Sequence, residues 1–198
     1  MQQLLIATHN PGKVREYRAL LADLPLTLLS LDEAGITEDL EETGDTFTAN
    51  AVLKAEGYAA RSGLWTWADD SGLEVDALDG RPGVYSARFG GPGLDDAARY
   101  RYLLEQLQAV PDRPRTARFR CVVALALPPH AIQTAQGVLD GEITDTPQGS
   151  HGFGYDPIFY LPAQGITLAQ AAPALKNKIS HRAQAATAAK ARLLACLA

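Results

Sequence analysis

Apolar positions recur along this chain with the two periods that mark strands and helices. Leu4, Leu5, Ile6 and Ala7 form a continuous apolar run that predicts a buried strand over 4–7. After the polar turn Thr8-His9-Asn10-Pro11-Gly12-Lys13, helical spacing begins with Val14, Tyr17, Leu21 and Leu24. Asn10 is placed to cap that helix, with Pro11 at its first position. A second strand is predicted over 26–31. Phe47, Ala51, Ala55 and Tyr58 or Ala59 mark one side of a helix over 46–61. Residues 65–68 predict a short strand that runs into Asp69-Asp70-Ser71-Gly72, and residues 95–108 a further amphipathic helix. The clearest strand covers 118–127, and Pro128-Pro129 turns it towards a partner over 132–139. A short strand over 158–160 follows. Ser180 is placed to cap a last helix with Ala186, Ala189, Leu193 and Leu197 inward.

Three stretches break this periodicity. Residues 32–44 are an acidic connection, and residues 79–93 and 149–156 are rich in glycine or proline. A loop as long as 79–93 is more often functional than idle in a compact domain. No repeat, low-complexity tract or linker is visible. The pattern predicts one α/β domain over 1–198, with the possibility of two lobes around a cleft.

Charge narrows the function. Lys and Arg number 18 against 23 Asp and Glu, a net charge of −5 without any basic block, which argues against a nucleic-acid polymer as ligand. A small phosphate ligand held by a few local cations remains compatible with it. No segment approaches the ~20 apolar residues needed to span a membrane. The opening Met1-Gln2-Gln3-Leu4-Leu5-Ile6 lacks the basic lead of a signal peptide, so a cytoplasmic location is expected. Cys121 and Cys196 sit among apolar neighbours, which favours buried free thiols over a disulfide.

Several groups carry chemistry. The N-terminal strand, turn and helix aim backbone N–H groups and a helix dipole at an anion, with Thr8, Asn10 and Lys13 adding donors and charge. A capped helix with a solvated lysine has the same local pattern. Asp69 and Asp70 follow a strand, where successive side chains face opposite ways, so at most one of them enters a given site. A carboxylate there is suited to Mg²⁺, which prefers oxygen ligands, and Glu41 or Glu42 offers a second one. A turn with Asp and Ser bonded to local backbone is the alternative. Asn50 and Lys54 share a helix face and can present a donor and a cation. In Gly152-Phe153-Gly154-Tyr155-Asp156-Pro157, glycine permits close approach while an aromatic face can stack on a nucleobase; a tight turn with core aromatics competes with that reading. Lys176, Lys178, His181 and Arg182 cluster around the expected start of the last helix, where cations are disfavoured unless something anionic or carbonyl-rich is near. Together these features describe nucleotide or phosphate-ester chemistry with a metal.

At these residues the sequence resembles the inosine/xanthosine triphosphate pyrophosphatase family. The matching stretches are Thr8-His9-Asn10-Pro11-Gly12-Lys13, Glu42-Thr43-Gly44 with Asn50-Ala51-Val52-Leu53-Lys54-Ala55, and Ala68-Asp69-Asp70-Ser71-Gly72-Leu73. Further ones are Pro82-Gly83-Val84-Tyr85-Ser86-Ala87-Arg88, Gly152-Phe153-Gly154-Tyr155-Asp156-Pro157 and Ile179-Ser180-His181-Arg182. They occur in the family's order over nearly the whole chain, with His9 in place of an expected glycine.

The resemblance implies a long mixed sheet flanked by helices, two lobes around a central cleft, and a homodimer. It implies Mg²⁺-dependent hydrolysis of inosine, deoxyinosine and xanthosine triphosphates to the monophosphate and pyrophosphate. Residue by residue, it places Thr8, His9, Asn10, Pro11, Gly12 and Lys13 on the triphosphate, with Lys54 nearby. Asp70 becomes the general base and a metal ligand, and Glu41 the second metal ligand. Ser71, Phe153, Gly154, Tyr155, Asp156, Lys176, His181 and Arg182 are implied to contact the substrate. A related septum-inhibitor-like nucleotide pyrophosphatase and a non-catalytic nucleotide sensor are the alternatives.

Overall fold

Leu4, Leu5 and Ile6 lose essentially all contact with water in β1 (Gln3–Ile6). A strand buried on both faces must be paired on both edges, and here both partners run parallel to it. β2 (Thr27–Ser30) lies on one side, with Leu5 opposite Leu29. On the other lies β3 (Trp65–Val75), with Leu5 opposite Thr66. The structure is a computed structural model and describes residues 2–197. With β4 (Thr116–Ala126), β5 (Gln133–Ile143), β6 (Phe159–Leu161) and β7 (Ile166–Thr167), the strands make one sheet in the order β2-β1-β3-β4-β5-β6-β7. The β5–β6 and β6–β7 pairs are antiparallel, so the sheet is mixed. The helices are α1 (Pro11–Leu20), α2 (Phe47–Ser62), α3 (Asp96–Gln108), α4 (Pro173–Ile179) and α5 (His181–Ala195).

The chain packs as two compact units. The first holds the residues up to Asp70, Cys121–Gly137 and those from His181 onward. Its core sets Tyr17 and Leu21 of α1 and Ala185, Ala186, Ala189 and Leu193 of α5 against Leu4, Ile6, Trp67, Val123 and Leu125. Tyr17 meets Trp67 edge to ring at 5.4 Å. The second unit holds Ser71–Arg120 and Val138–Ser180. There Leu73, Val75, Leu103, Leu107, Ile158 and Phe159 close a separate core, with Phe119 and Phe159 at 4.5 Å.

The predicted elements are present; β7 is a short strand that the pattern did not predict, and four further differences follow. β3 does not stop at Ala68 but continues to Val75, because Leu73 and Val75 keep the alternation and bury their side chains in the second core. Asp69 and Asp70 therefore lie within a strand, not at its end. β5 runs on to Ile143 through Gly137 and Gly141, residues that weaken a strand signal but are required where a Cβ would strike packed backbone. The stretch 79–93 contains a 3₁₀ segment, Gly83–Arg88, that buries Ser86. Finally, α4 is too short to show a helical period, and it places Lys176 and Lys178 in its own last turn. Cations are favoured at that end of a helix, which removes the electrostatic anomaly inferred for these two residues. Cys121 and Cys196 are both free; Cys121 is buried and Cys196 only partly so. No helix among the described residues is long and apolar enough to cross a membrane.

α5 can settle on β5 only because residue 137 has no side chain. A Cβ on Gly137 would overlap the His181 carbonyl oxygen and come within 2.6 Å of the Ala185 nitrogen. Gly137→Ala is expected to lower unfolding stability by about 1–3 kcal/mol, the usual range for overpacking, measured by urea denaturation.

Candidate active site

In the first unit the chemistry collects on Asp69 and Asp70. Adjacent strand residues point oppositely, and these two carboxylates do so. Asp69 faces α1 and α5, with Lys13 Nζ at 3.0 Å and Arg182 Nη2 at 3.6 Å from Oδ2. Cys121 Sγ lies 3.7 Å from the same oxygen. Asp70 faces α2, accepting from Asn50 Nδ2 at 3.1 Å on Oδ2, with Lys54 Nζ 3.6 Å from Oδ1.

These surroundings divide the pair electrostatically. Burial pushes the Asp69 carboxyl up, but Lys13, Arg182 and Lys54 outweigh it and hold the group well below the usual carboxylate range. At Asp70 burial wins over the attraction of Lys54 and Lys13, and nearby Glu42 adds to the rise. Asp69 is thus a fixed anion and Asp70 the more basic neighbour. Burial, followed by the charge of Asp69, pushes the Cys121 thiol up to about 12, so it is no nucleophile.

Asn10 caps α1 as expected, its Oδ1 accepting from Gly12 N at 2.8 Å and Lys13 N at 3.1 Å, with Pro11 opening the helix. Those two amides are therefore engaged by the cap. Asn10 N donates to Thr8 Oγ1 at 3.2 Å, and the His9 ring lies 3.5 Å from Asp32 and 3.6 Å from Asp39. Of the two candidate second carboxylates, Glu41 is exposed, while Glu42 accepts from Lys54 Nζ at 2.6 Å. Arg182 is 2% exposed, and its guanidinium donates to Glu16 Oε2 at 2.7 Å while lying beside Asp69. His181 is buried at the start of α5.

The second unit holds the glycine-aromatic loop. Asp156 is its hub: the buried carboxylate accepts from Phe153 N at 2.9 Å and pairs with Lys176 Nζ. Lys176 Nζ also sits 4.8 Å from the centre of the Phe153 ring. Gly152 has φ +78°, and a Cβ there would overlap Asp156 Oδ2, so only glycine leaves room for this pairing. Gly154 N donates to Asp96 Oδ2 at 2.7 Å, and Tyr155 Oη donates to the Ser86 carbonyl at 2.8 Å. Ser86 Oγ in turn donates to Gly83 O and accepts from Leu73 N, tying the loop to the 3₁₀ segment and to β3. Ser71 also belongs to this unit.

A family model described as the Ham1 family matches residues 4–192. The chain is a member of the Ham1 family. Among Ham1-like relatives, the dITP/XTP pyrophosphatase of Geobacillus kaustophilus is 50% identical over 187 residues, covering 94% of this chain and 92% of the relative. That of Bacillus subtilis is 47% identical over 185 residues, covering 93% of each. The solved structure of a HAM1 protein from Coxiella burnetii superposes with a TM-score of 0.89 at 42% identity, covering 98% of this chain and 99% of that one. The Staphylococcus aureus Ham1 protein does so at 0.86 and 40%, with the same coverage.

Within this Ham1 fold, sequence reasoning left out of the site several residues to which the structure gives partners there. Asn50 was marked as a donor on the helix face of Lys54, without a role at Asp70. Glu16, Asp96 and Ser86 were not singled out, since each acts through a partner distant in sequence.

The Lys176–Asp156 pair is nearly dry on both sides. Lys176→Ala would leave the Asp156 carboxylate buried without its cation, and a loss of about 3–5 kcal/mol in unfolding free energy is expected at neutral pH. Chemical denaturation of the variant against the parent measures it.

Proposed function

We propose that this chain hydrolyses the triphosphates of inosine, deoxyinosine and xanthosine to the monophosphate and pyrophosphate, clearing them from the nucleotide pool. The observation that carries this reading is the buried carboxylate of Asp70, made more basic than usual and set beside Lys54, in a chain whose relatives bear the name dITP/XTP pyrophosphatase. Residues 1–198 act as one pyrophosphatase domain in this proposal.

Asp70 orients a water and takes its proton as the water oxygen bonds to the α-phosphorus. The bond from that phosphorus to the bridging oxygen breaks, and its electron pair leaves with pyrophosphate. Lys13 and Lys54 meet the triphosphate charge, with Thr8, His9, Asn10, Pro11 and Gly12 shaping the turn around it. Phe153 stacks on the purine, held by the Asp156–Lys176 pair, with Gly154, Tyr155, Ser71 and His181 completing the contacts. The guanidinium of Arg182 pairs with Glu16 and Asp69 and so helps hold the carboxylate that Lys13 also meets, and a backbone N–H is assigned to the 6-keto oxygen. An amino group at that position would put donor against donor, which disfavours adenine.

The donor set fits Mg²⁺. Among the described residues no three His, Cys, Asp or Glu side chains form a ready-made metal cage. Mg²⁺ does not require one, since one or two carboxylates with substrate phosphates and water satisfy it. Asp70 would hold it with Glu42, whose carboxylate shares Lys54 with Asp70; Glu41, implied by the resemblance, is the exposed neighbour. When bound, the ion neutralises charge on the phosphates and the leaving group. Charge supports this reading: Lys13, Lys54 and Arg182 are already answered by Asp69, Asp70, Glu16 and Glu42. The family resemblance supports a cytoplasmic location and a homodimer, and sedimentation analysis of the purified chain checks the second.

Pyrophosphate release is expected with Mg²⁺ from inosine and xanthosine triphosphates, with little from the adenosine, guanosine, cytidine and uridine triphosphates. Release confined to the last group would sink the purine-clearing assignment. Asp70→Asn should cut turnover by roughly 10²–10⁴-fold while the protein stays folded, and near-native turnover would remove Asp70 from its role.

A further inference from the structure

We infer that Asn50 is a positioning residue for Asp70, fixing the rotation of its carboxylate and tying it to the segment that carries Glu42. The inference rests on the reading of Asp70 as the base. Asn50 lies in the first turn of α2 and is 0% exposed. Asparagine is a poor helix former, and a buried amide is costly unless both its ends are bonded. Both are. Oδ1 accepts from Gly44 N at 2.8 Å, and Nδ2 donates to Asp70 Oδ2 at 3.1 Å.

The backbone N–H of Gly44 settles which way the amide points, because only the carbonyl end can face a donor. The NH₂ end is thereby directed at Asp70 and can only meet an acceptor. Turning the Asp70 carboxylate about its last bond would break this contact, so Oδ2 stays on Asn50 and Oδ1 on the Lys54 side. The Gly44 bond has a second effect. Gly44 lies two residues after Glu42, whose carboxylate is held by Lys54, one turn beyond Asn50 on the same helix. One amide thus gives Asp70 and the Glu42 segment a common reference on α2.

Asn50→Asp separates this role from a purely structural one. It keeps an acceptor for Gly44 but replaces the donor with a carboxylate facing Asp70; Asn50→Ala loses both bonds. At saturating Mg²⁺ both variants should lower kcat for inosine triphosphate by about 10- to 100-fold, as loss of an orienting partner does, with KM within about threefold. Unchanged kcat in folded Asn50→Asp, or a loss confined to KM, overturns the inference. A second readout needs no Asn50 variant. In the NMR spectrum, Asp70→Asn should shift the Asn50 side-chain NH₂ signals more than those of the more exposed Asn and Gln side chains, and an unmoved pair overturns the contact. If the parent enzyme releases no pyrophosphate, the functional reading falls instead, and the NMR measurement still decides the contact.

Discussion

The structure of the first unit depends on burying two adjacent carboxylates in the middle of β3. An unpaired charge in the interior costs several kcal/mol, so each must be met by cations. Because strand neighbours face opposite ways, the cations must arrive from both sides of the sheet. Lys13 of α1 and Arg182 of α5 reach Asp69, and Lys54 of α2 reaches Asp70. Three helices are thereby fixed in rotation by two residues, and the apolar packing of Tyr17, Ala185 and Ala189 is consistent with those rotations.

The same constraint makes the two carboxylates chemically unlike. Asp69 has two cations within ion-pair reach and remains anionic; Asp70 has one, shares it with Glu42, and is left more basic. A general base needs a proton affinity raised from that of a solvated carboxylate, and a structural anion needs the reverse. Identical side chains one residue apart can serve both needs only when a strand turns them to different environments.

Much of this was legible in the sequence, for identifiable reasons. β1, α1 with its Asn10 cap, α2, α3, β4 and α5 announce themselves through apolar period and local capping chemistry, which a linear reading detects. The opposition of Asp69 and Asp70 followed from strand geometry alone. β3 and β5 were read too short because Ser71, Gly72 and Gly141 look like breakers, and what keeps the chain extended there is packing from distant segments. α4 gave no signal at seven residues. The partners of Arg182 stayed hidden for the same kind of reason: Glu16 lies on a helix at the other end of the sequence, and no spacing rule connects them.

Arg182 and Lys176 show how the fold itself makes use of buried cations. The Arg182 guanidinium is 2% exposed, bonded to Glu16 and set beside Asp69. Lys176 likewise pairs with the buried Asp156 and also lies over the Phe153 ring. Cations that stabilise the folded chain in this way are poor sources of net attraction for a polyanion. Lys13 and Lys54 retain more solvent exposure than Arg182 but are themselves partnered by Asp69, Glu42 and Asp70. With three cations facing four carboxylates, this cluster offers a polyanion no net positive charge. In the proposed reaction a triphosphate then requires a rearrangement of those pairs or an added cation, and the hard oxygen donors of Asp70 and Glu42 suit the second course.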